Sequence, residues 1–324
     1  MCTAITLKNE DFYFGRNLDW ENSFGENIVI TPRNYPVKFS DNSISNNHYA
    51  LIGTACTEDG YPLYFDGTNE CGLSIAGLNF PGFSVYKSEI PDKINIASYE
   101  LIIRILSEFD SVSKAVGFLK NVNITDKSFS SSMPPSPLHW IIADKNDCYV
   151  IEPVVSGVKL YKNEYGVLTN SPSFDMHIYN LSNYMHISSS QVQNLFCENL
   201  DFIPYSRGLG AVGLPGDWSS SSRFVRAVFE KTNSVSSADE MDSVGCFFHI
   251  LSSVENIKGC VRTEKNEPEI TQYSSCCNTQ KGIYYYTTYH NRRICAIDMH
   301  KENLDGDSLV LYPFNRTQDI LYVN

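Results

Sequence analysis

The sequence predicts an α+β chain with two stacked sheets between helical layers, on three observations. Short strand-like runs bounded by Asn, Asp, Gly or Pro fill the first hundred residues. Helical periodicity appears in two separate places, and strand-like runs return between and after them. The order strands, helices, strands, helices, strands suits sheet packed on sheet with helices outside each.

The opening strands fall at 3–7, 13–18, 27–31, 50–54 and 72–78, which suggests a sheet that begins with the chain's first residues. Tyr99, Ile102, Ile103 and Leu106 then recur at i, i+3, i+4, i+7, and a second helix is expected over 111–120, so that two helices cover one sheet face. Runs at 138–143, 148–152 and 158–161 read as a second sheet, the first two joined by the turn-prone Asp144-Lys145-Asn146-Asp147. Helices are expected at 222–231 and 237–253, the latter opened by the capping box Ser237-Ala238-Asp239-Glu240. Strands at 271–276, 282–288 and 293–298 close the chain. No linker-like stretch or composition break separates two cores, so residues 1–324 are expected to form a single domain.

With 42% hydrophobic and 19% charged residues the chain has the apolar mass for a large core. The formal charge of -12, without a basic block, would repel a phosphate backbone, so nucleic acid is not an expected partner. No run approaches the ~20 apolar residues of a membrane-spanning helix, and the N-terminus lacks a charged start followed by a long apolar run. A cytoplasmic protein with no membrane insertion is the expectation. Ten scattered cysteines read as free thiols in a chain of this size, and no C-x-x-C or H-E-x-x-H spacing suggests a metal. No cofactor is expected.

Cys2 carries the chemistry. By position alone it reads as a small hydrophobe opening an edge strand. Initiator Met is generally removed before a small residue, however, and Cys2 would then hold a thiol and a free α-amine together. Their reference pKa values, about 8.5 and about 7.7 to 8.0, are close enough for the amine to take the thiol proton near neutral pH. The amine could later return that proton to a departing amine. Such a site also requires an oxyanion hole, a group to orient the amine, and positive charge beside the thiolate.

Met1-Cys2-Thr3, Phe14-Gly15-Arg16-Asn17-Leu18-Asp19, Gly77-Leu78-Asn79-Phe80, Leu168-Thr169-Asn170-Ser171-Pro172 and Gly213-Leu214-Pro215-Gly216-Asp217 with Ser222-Arg223-Phe224 supply candidates for all three. Through these motifs the chain resembles the choloylglycine hydrolase family, and more narrowly the bile salt hydrolases. Leu138-His139-Trp140, Gly282-Ile283-Tyr284-Tyr285-Tyr286 and Lys301-Glu302-Asn303-Leu304-Asp305 extend the match along the whole chain.

The resemblance implies an N-terminal-nucleophile hydrolase with a four-layer αββα fold and mainly antiparallel sheets. It makes Cys2 the nucleophile and its amine the base, with Arg16 favouring the thiolate and Asp19 holding the amine. Strand alternation lets Asp19 join Arg16 only near a strand end or bend. Asn79 and Asn170 would build the oxyanion hole through a backbone N–H and a side-chain amide, and Arg223 would complete the electrostatic frame. Read without the family, Arg223 is a solvated helix-surface arginine, Arg16 and Asp19 a surface ion pair, and the two asparagines turn residues.

The implied substrate is a conjugated bile salt, a rigid steroid in amide linkage to glycine or taurine, so the pocket should be largely apolar. Leu18, Phe24, Phe65, Phe129, Met133 and Leu138 are the candidates for its wall, alongside Asn79 at the scissile end. Relatives that cleave penicillin V tend to carry Tyr in place of Asn79, which favours bile salts. Glu58 stands in a loop where relatives can present an apolar residue, and Gly60 would loosen that loop. Arg207 could reach the anionic head group. Acylases for penicillin V or N-acyl homoserine lactones, and acyl transfer to an amine, would use the same site; a steroid- or lipid-binding protein is the non-enzymatic alternative. Relatives assemble as homotetramers, and the same is expected here.

Overall fold

The structure is a computed structural model and describes residues 1–324. The chain opens with β1 (Cys2–Lys8) and β2 (Phe12–Trp20). Then come β3 (Asn27–Thr31), the small pair β4 (Val37–Lys38) and β5 (Ile44–Ser45), β6 (Leu51–Glu58), β7 (Tyr61–Asn69) and β8 (Ser74–Asn79). β9 (Ile94–Ala97), α1 (Leu101–Glu108), α2 (Val112–Leu119) and β10 (Val122–Thr125) follow. β11 (Leu138–Ala143), β12 (Cys148–Val154), β13 (Gly157–Lys162) and β14 (Val167–Leu168) lead to α3 (Phe174–Leu181), α4 (Ser220–Asn233) and α5 (Glu240–Ser253). The last strands are β15 (Ile270–Asn278), β16 (Ile283–Thr288), β17 (Asn291–Asp298) and β18 (Val310–Pro313).

Two large sheets result, a six-stranded one in the order β14-β1-β2-β15-β16-β17 and an eight-stranded one in the order β13-β12-β11-β8-β7-β6-β3-β18. Their pairings are antiparallel throughout. α1 and α2 bury Leu101, Ile105, Val112 and Leu119 against Leu51, Ile75 and Trp140 of the larger sheet. α4 and α5 bury Phe224, Val244, Phe247 and Leu251 with Ile5, Tyr13 and Val167 of the smaller. Between the sheets lie Ile28, Ile52, Tyr273 and Tyr284. The fold is therefore the expected αββα sandwich.

The sheets are divided differently from the sequence expectation. β1 and β2 belong to one sheet and β3 onward to the other, so the opening strands do not form a single sheet. The group at 138–162 is not a second sheet either, because β11 pairs with β8 and extends the first. The smaller sheet joins the first two strands to later ones, with β2 against β15, while the last strand, β18, pairs with β3 in the larger. The burial of β2 shows why: Phe12 through Asp19 are buried on both faces, a strand covered by a sheet on one side and helices on the other. Gly15 permits that pairing, since a Cβ there would stand 1.9 Å from the Ser275 carbonyl oxygen.

Two local expectations also change. α5 begins at Glu240, with the Asp239 side chain accepting from the Asp242 N–H at 3.0 Å, so Ser237 lies outside the helix instead of capping it. Gly60 does not loosen its loop. Asp59 and Gly60, at φ 50° and 79°, make the tight two-residue turn that joins β6 to β7.

Candidate active site

Cys2 begins β1 with 5% of its surface exposed. It lies opposite Leu18, and Ala4 opposite Arg16, so all four side chains share one sheet face. That face looks onto the larger sheet. The Arg16 guanidinium reaches across to donate to the carbonyls of Phe65 (3.1 Å) and Gly77. Burial opposes its charge, but Cys2, Tyr273, Asp66 and Asp19 outweigh that and hold its pKa above the ordinary value. The cation beside the thiol is therefore permanent.

Alternation sends Asn17 and Asp19 to the helix side, where Asn17 Nδ2 donates to the Leu251 carbonyl at 2.9 Å. Asp19 Oδ1 accepts from Thr271 Oγ1 at 2.5 Å, while its Oδ2 is buried and without a hydrogen bond. Arg16 and Asp19 thus lie on opposite faces of β2, with Arg16 on the face of the Cys2 thiol. Neither is a surface residue and they form no ion pair with each other. The strand register shifts opposite Leu18 and Asp19, between Thr271 and Tyr273 of β15. Met1 continues the β1–β2 pairing: its carbonyl accepts from the Asp19 N–H at 2.9 Å, and its ammonium donates to the Asp19 carbonyl and pairs with Glu269.

Arg223 is wholly buried on α4, which removes the reading of a solvated helix arginine. It donates to the Cys2 carbonyl, Thr3 Oγ1 (2.6 Å), Asn170 Oδ1 (2.7 Å) and the Trp218 carbonyl (3.0 Å). Burial lowers its pKa, and Asp19, Cys2 and Glu269 counteract this in part.

Every polar atom of Asn170 has a partner. Oδ1 accepts from Arg223 and from the Cys2 N–H (2.7 Å), Nδ2 donates to the Asn79 carbonyl (2.8 Å), and the backbone N–H donates to Ser220 Oγ (2.8 Å). An arginine can only donate, so it fixes which end of the amide is oxygen. One N–H of Asn170 is used on Asn79 and the other is available to a ligand. Asn79 ends β8 opposite Leu138 of β11, which brings both beside this group.

The apolar candidates divide. Leu18 is buried with Tyr273 between the sheets. Phe24, 46% exposed, packs on Trp20 and Phe65 with ring centroids 5.6 and 5.4 Å apart, and Phe65 is the residue whose carbonyl Arg16 holds. Phe129 packs instead on Tyr61 and Tyr99 at 5.5 and 5.2 Å, beside a cleft of about 430 Å³ that Glu58 and Gly60 also line. Met133 is half-buried and closes the same loop, its carbonyl accepting from the Phe129 N–H at 3.2 Å. Arg207 is exposed on a long irregular segment. The cysteines are all free, and no cluster of His, Cys, Asp and Glu is arranged to hold a metal.

The sequence reading missed a buried polar network beneath Arg16. Asp66 of β7 accepts from the hydroxyls of Tyr273 (2.5 Å) and Tyr284, and Tyr284 also meets Thr54 Oγ1 at 2.7 Å. Burial raises the Asp66 pKa, with Arg16 and the two hydroxyls opposing it. Asp66-Gly67 looks like a turn in sequence, which hid the strand that carries it.

A family model described as linear amide C–N hydrolases, choloylglycine hydrolase family, matches residues 2–312. The chain belongs to the choloylglycine hydrolase family. Over their full lengths it is 48% identical to a bile salt hydrolase/transferase from Lactiplantibacillus plantarum and 40% identical to one from Clostridium perfringens. A solved variant of the conjugated bile acid hydrolase from Clostridium perfringens superposes with a TM-score of 0.94 at 39% identity, covering all of both chains. Penicillin V acylase from Agrobacterium tumefaciens shares the fold, with a TM-score of 0.74 at 20% identity over 95% of this chain and 90% of its own. In this choloylglycine hydrolase family member, no helix is long and apolar enough to cross a membrane.

Proposed function

We propose that this chain hydrolyses the amide bond between a bile acid and glycine or taurine, through a thioester on Cys2. The observation that carries this reading is the convergence on Cys2: Arg223 holds its carbonyl, Asn170 accepts from its nitrogen, and Arg16 stands on the thiol's face. Removal of Met1 would turn that nitrogen into an amine. Asp19 Oδ2, buried and unpartnered, is the acceptor suited to hold it.

In the proposed reaction the amine takes the thiol proton and the thiolate attacks the amide carbon. The oxyanion is met by the Asn79 backbone N–H and the free N–H of Asn170. The protonated amine then gives its proton to the leaving nitrogen; the C–N bond breaks, releasing glycine or taurine and leaving the acyl thioester. Water attacks next, the amine accepts its proton, and the C–S bond breaks to release the bile acid and restore the thiol. Capture of the thioester by an amine instead of water gives acyl transfer at the same site, a reading favoured by relatives named hydrolase/transferase.

Leu18, Phe24, Phe65, Phe129, Met133 and Leu138 line the proposed path of the steroid. Residues 1–324 act as one domain in the cytoplasm, assembled as a homotetramer. For assembly the support is the segment at 185–212, which leaves Leu195, Phe196, Ile203 and Tyr205 more than 85% exposed in the single chain. Parallel assays with glycocholate, taurocholate and penicillin V test the substrate. Cleavage of both conjugates well above penicillin V is expected, and preference for penicillin V would overturn the reading.

A further inference from the structure

Three buried groups that no step above uses surround the segment carrying Asn170. His139 on β11, Glu152 on β12 and His177 on α3 are each at most 1% exposed. His139 Nε2 meets the Thr169 carbonyl at 2.8 Å and His177 Nε2 meets the Asn170 carbonyl at 2.9 Å. A carbonyl oxygen only accepts, so both rings carry a proton on Nε2 and donate it to consecutive peptide groups. Burial lowers the His177 pKa to about 4, which keeps that ring a neutral single donor at neutral pH.

The rings also tie this segment to the other parts of the site. His139 stacks on Phe80 at 4.1 Å and 8°, and Phe80 follows Asn79. His177 stacks on Phe224 at 4.8 Å and 19°, and Phe224 follows Arg223. Glu152 joins the two halves, since its Oε1 lies 3.4 Å from His139 Nδ1 and accepts from the Phe174 N–H, at the start of the helix bearing His177, at 2.8 Å. A phenylalanine would fill either ring's space as well. Only a donor fixes the two carbonyls, and His177 Nδ1 is left buried without a partner to achieve it.

We infer that His139 and His177 form a clamp that positions Asn170, and through Phe80 and Phe224 sets it against Asn79 and Arg223. They are positioning residues that never touch the substrate, and the inference rests on the proposed oxyanion role of Asn170.

The test uses His139→Phe and His177→Phe, which keep a stacked ring and lose the donor, with His177→Gln and His177→Asn, of which only Gln carries its amide nitrogen out to the Nε2 position. The readouts are kcat and KM for glycocholate, the rate of Cys2 alkylation by iodoacetamide, and thermal unfolding. The Phe variants should lose about 10- to 100-fold in kcat, less than the roughly 10²- to 10³-fold for deleting an oxyanion donor outright. KM and alkylation should stay within about twofold, and His177→Gln should recover kcat well above His177→Asn. Should a Phe variant fail to fold, the Gln-to-Asn order decides. Wild-type kcat in a folded Phe variant, equal kcat in Gln and Asn, or parallel loss of kcat and alkylation would overturn the clamp. Glycocholate cleavage at the wild-type rate in Cys2→Ser would instead contradict the Cys2 reading of the site, independently of the clamp.

Discussion

Replacing Arg223 with methionine separates what holds the site together from what performs the chemistry. The side chain is wholly buried and its guanidinium serves the Cys2 carbonyl, Thr3 Oγ1, Asn170 Oδ1 and the Trp218 carbonyl. Methionine fills much of the volume but leaves buried acceptors unmet, at about 1 to 3 kcal/mol each. The Thr3 hydroxyl can turn to another partner and Asn170 Oδ1 keeps the Cys2 N–H, while removing a desolvated cation returns part of the loss. The net effect is about 3 kcal/mol of destabilisation. With a urea slope of about 3 kcal/mol/M, that lowers the unfolding midpoint by about 1 M. Turnover should fall further than stability implies, because one of the two donors that hold Asn170's amide oxygen is gone: about 10²- to 10³-fold in kcat under conditions where the variant is folded. Unfolding curves and glycocholate turnover measured on one preparation decide it. A variant that loses stability but keeps wild-type kcat would refute the claim that Asn170's orientation matters for catalysis.

Phe129→Ala should raise KM for glycocholate about tenfold with kcat within about twofold, since an apolar wall contributes binding equally to ground and transition states; unchanged KM would remove Phe129 from the substrate path. Gly15→Ala should abolish folding or lower the melting temperature by more than 10 °C, because its Cβ would stand 1.9 Å from the Ser275 oxygen; a near-normal melting temperature would contradict the β2–β15 geometry. His177 is neutral in the folded chain down to about pH 4, whereas the unfolded chain protonates it near pH 6.5, so stability falls as pH drops through that window and levels off below it. The loss is about 3 kcal/mol, and His177→Gln should flatten that part of the stability curve.

Strands with clear boundaries were legible in the sequence: the structure places β3 and β11 at the expected residues and most others within a few. Sheet membership was not, because β2 has two buried faces and its neighbour β15 lies some 250 positions away, which local periodicity does not encode. β7 was missed because Pro62 and Asp66-Gly67 imitate turns, although Asp66 is turned inward to the tyrosine hydroxyls. At the site, the motifs brought Cys2, Arg16, Asp19, Asn79, Asn170 and Arg223 to attention, and the structure gathers these six into one region. Glu269, which pairs with the Met1 ammonium, carried no signal: its role depends on a chain end meeting the approach to β15. His139 and His177 acquire meaning only through the Thr169 and Asn170 carbonyls they hold, and backbone acceptors leave no trace in a sequence.

The central claim is that Cys2, freed of Met1, is the nucleophile. Mass spectrometry of the enzyme quenched during glycocholate turnover tests it most directly. The expected N-terminal peptide begins at Cys2 and carries the cholyl group as a thioester, absent in Cys2→Ser. An active protein whose N-terminus still begins at Met1, or an acyl group found on any other residue, would contradict it.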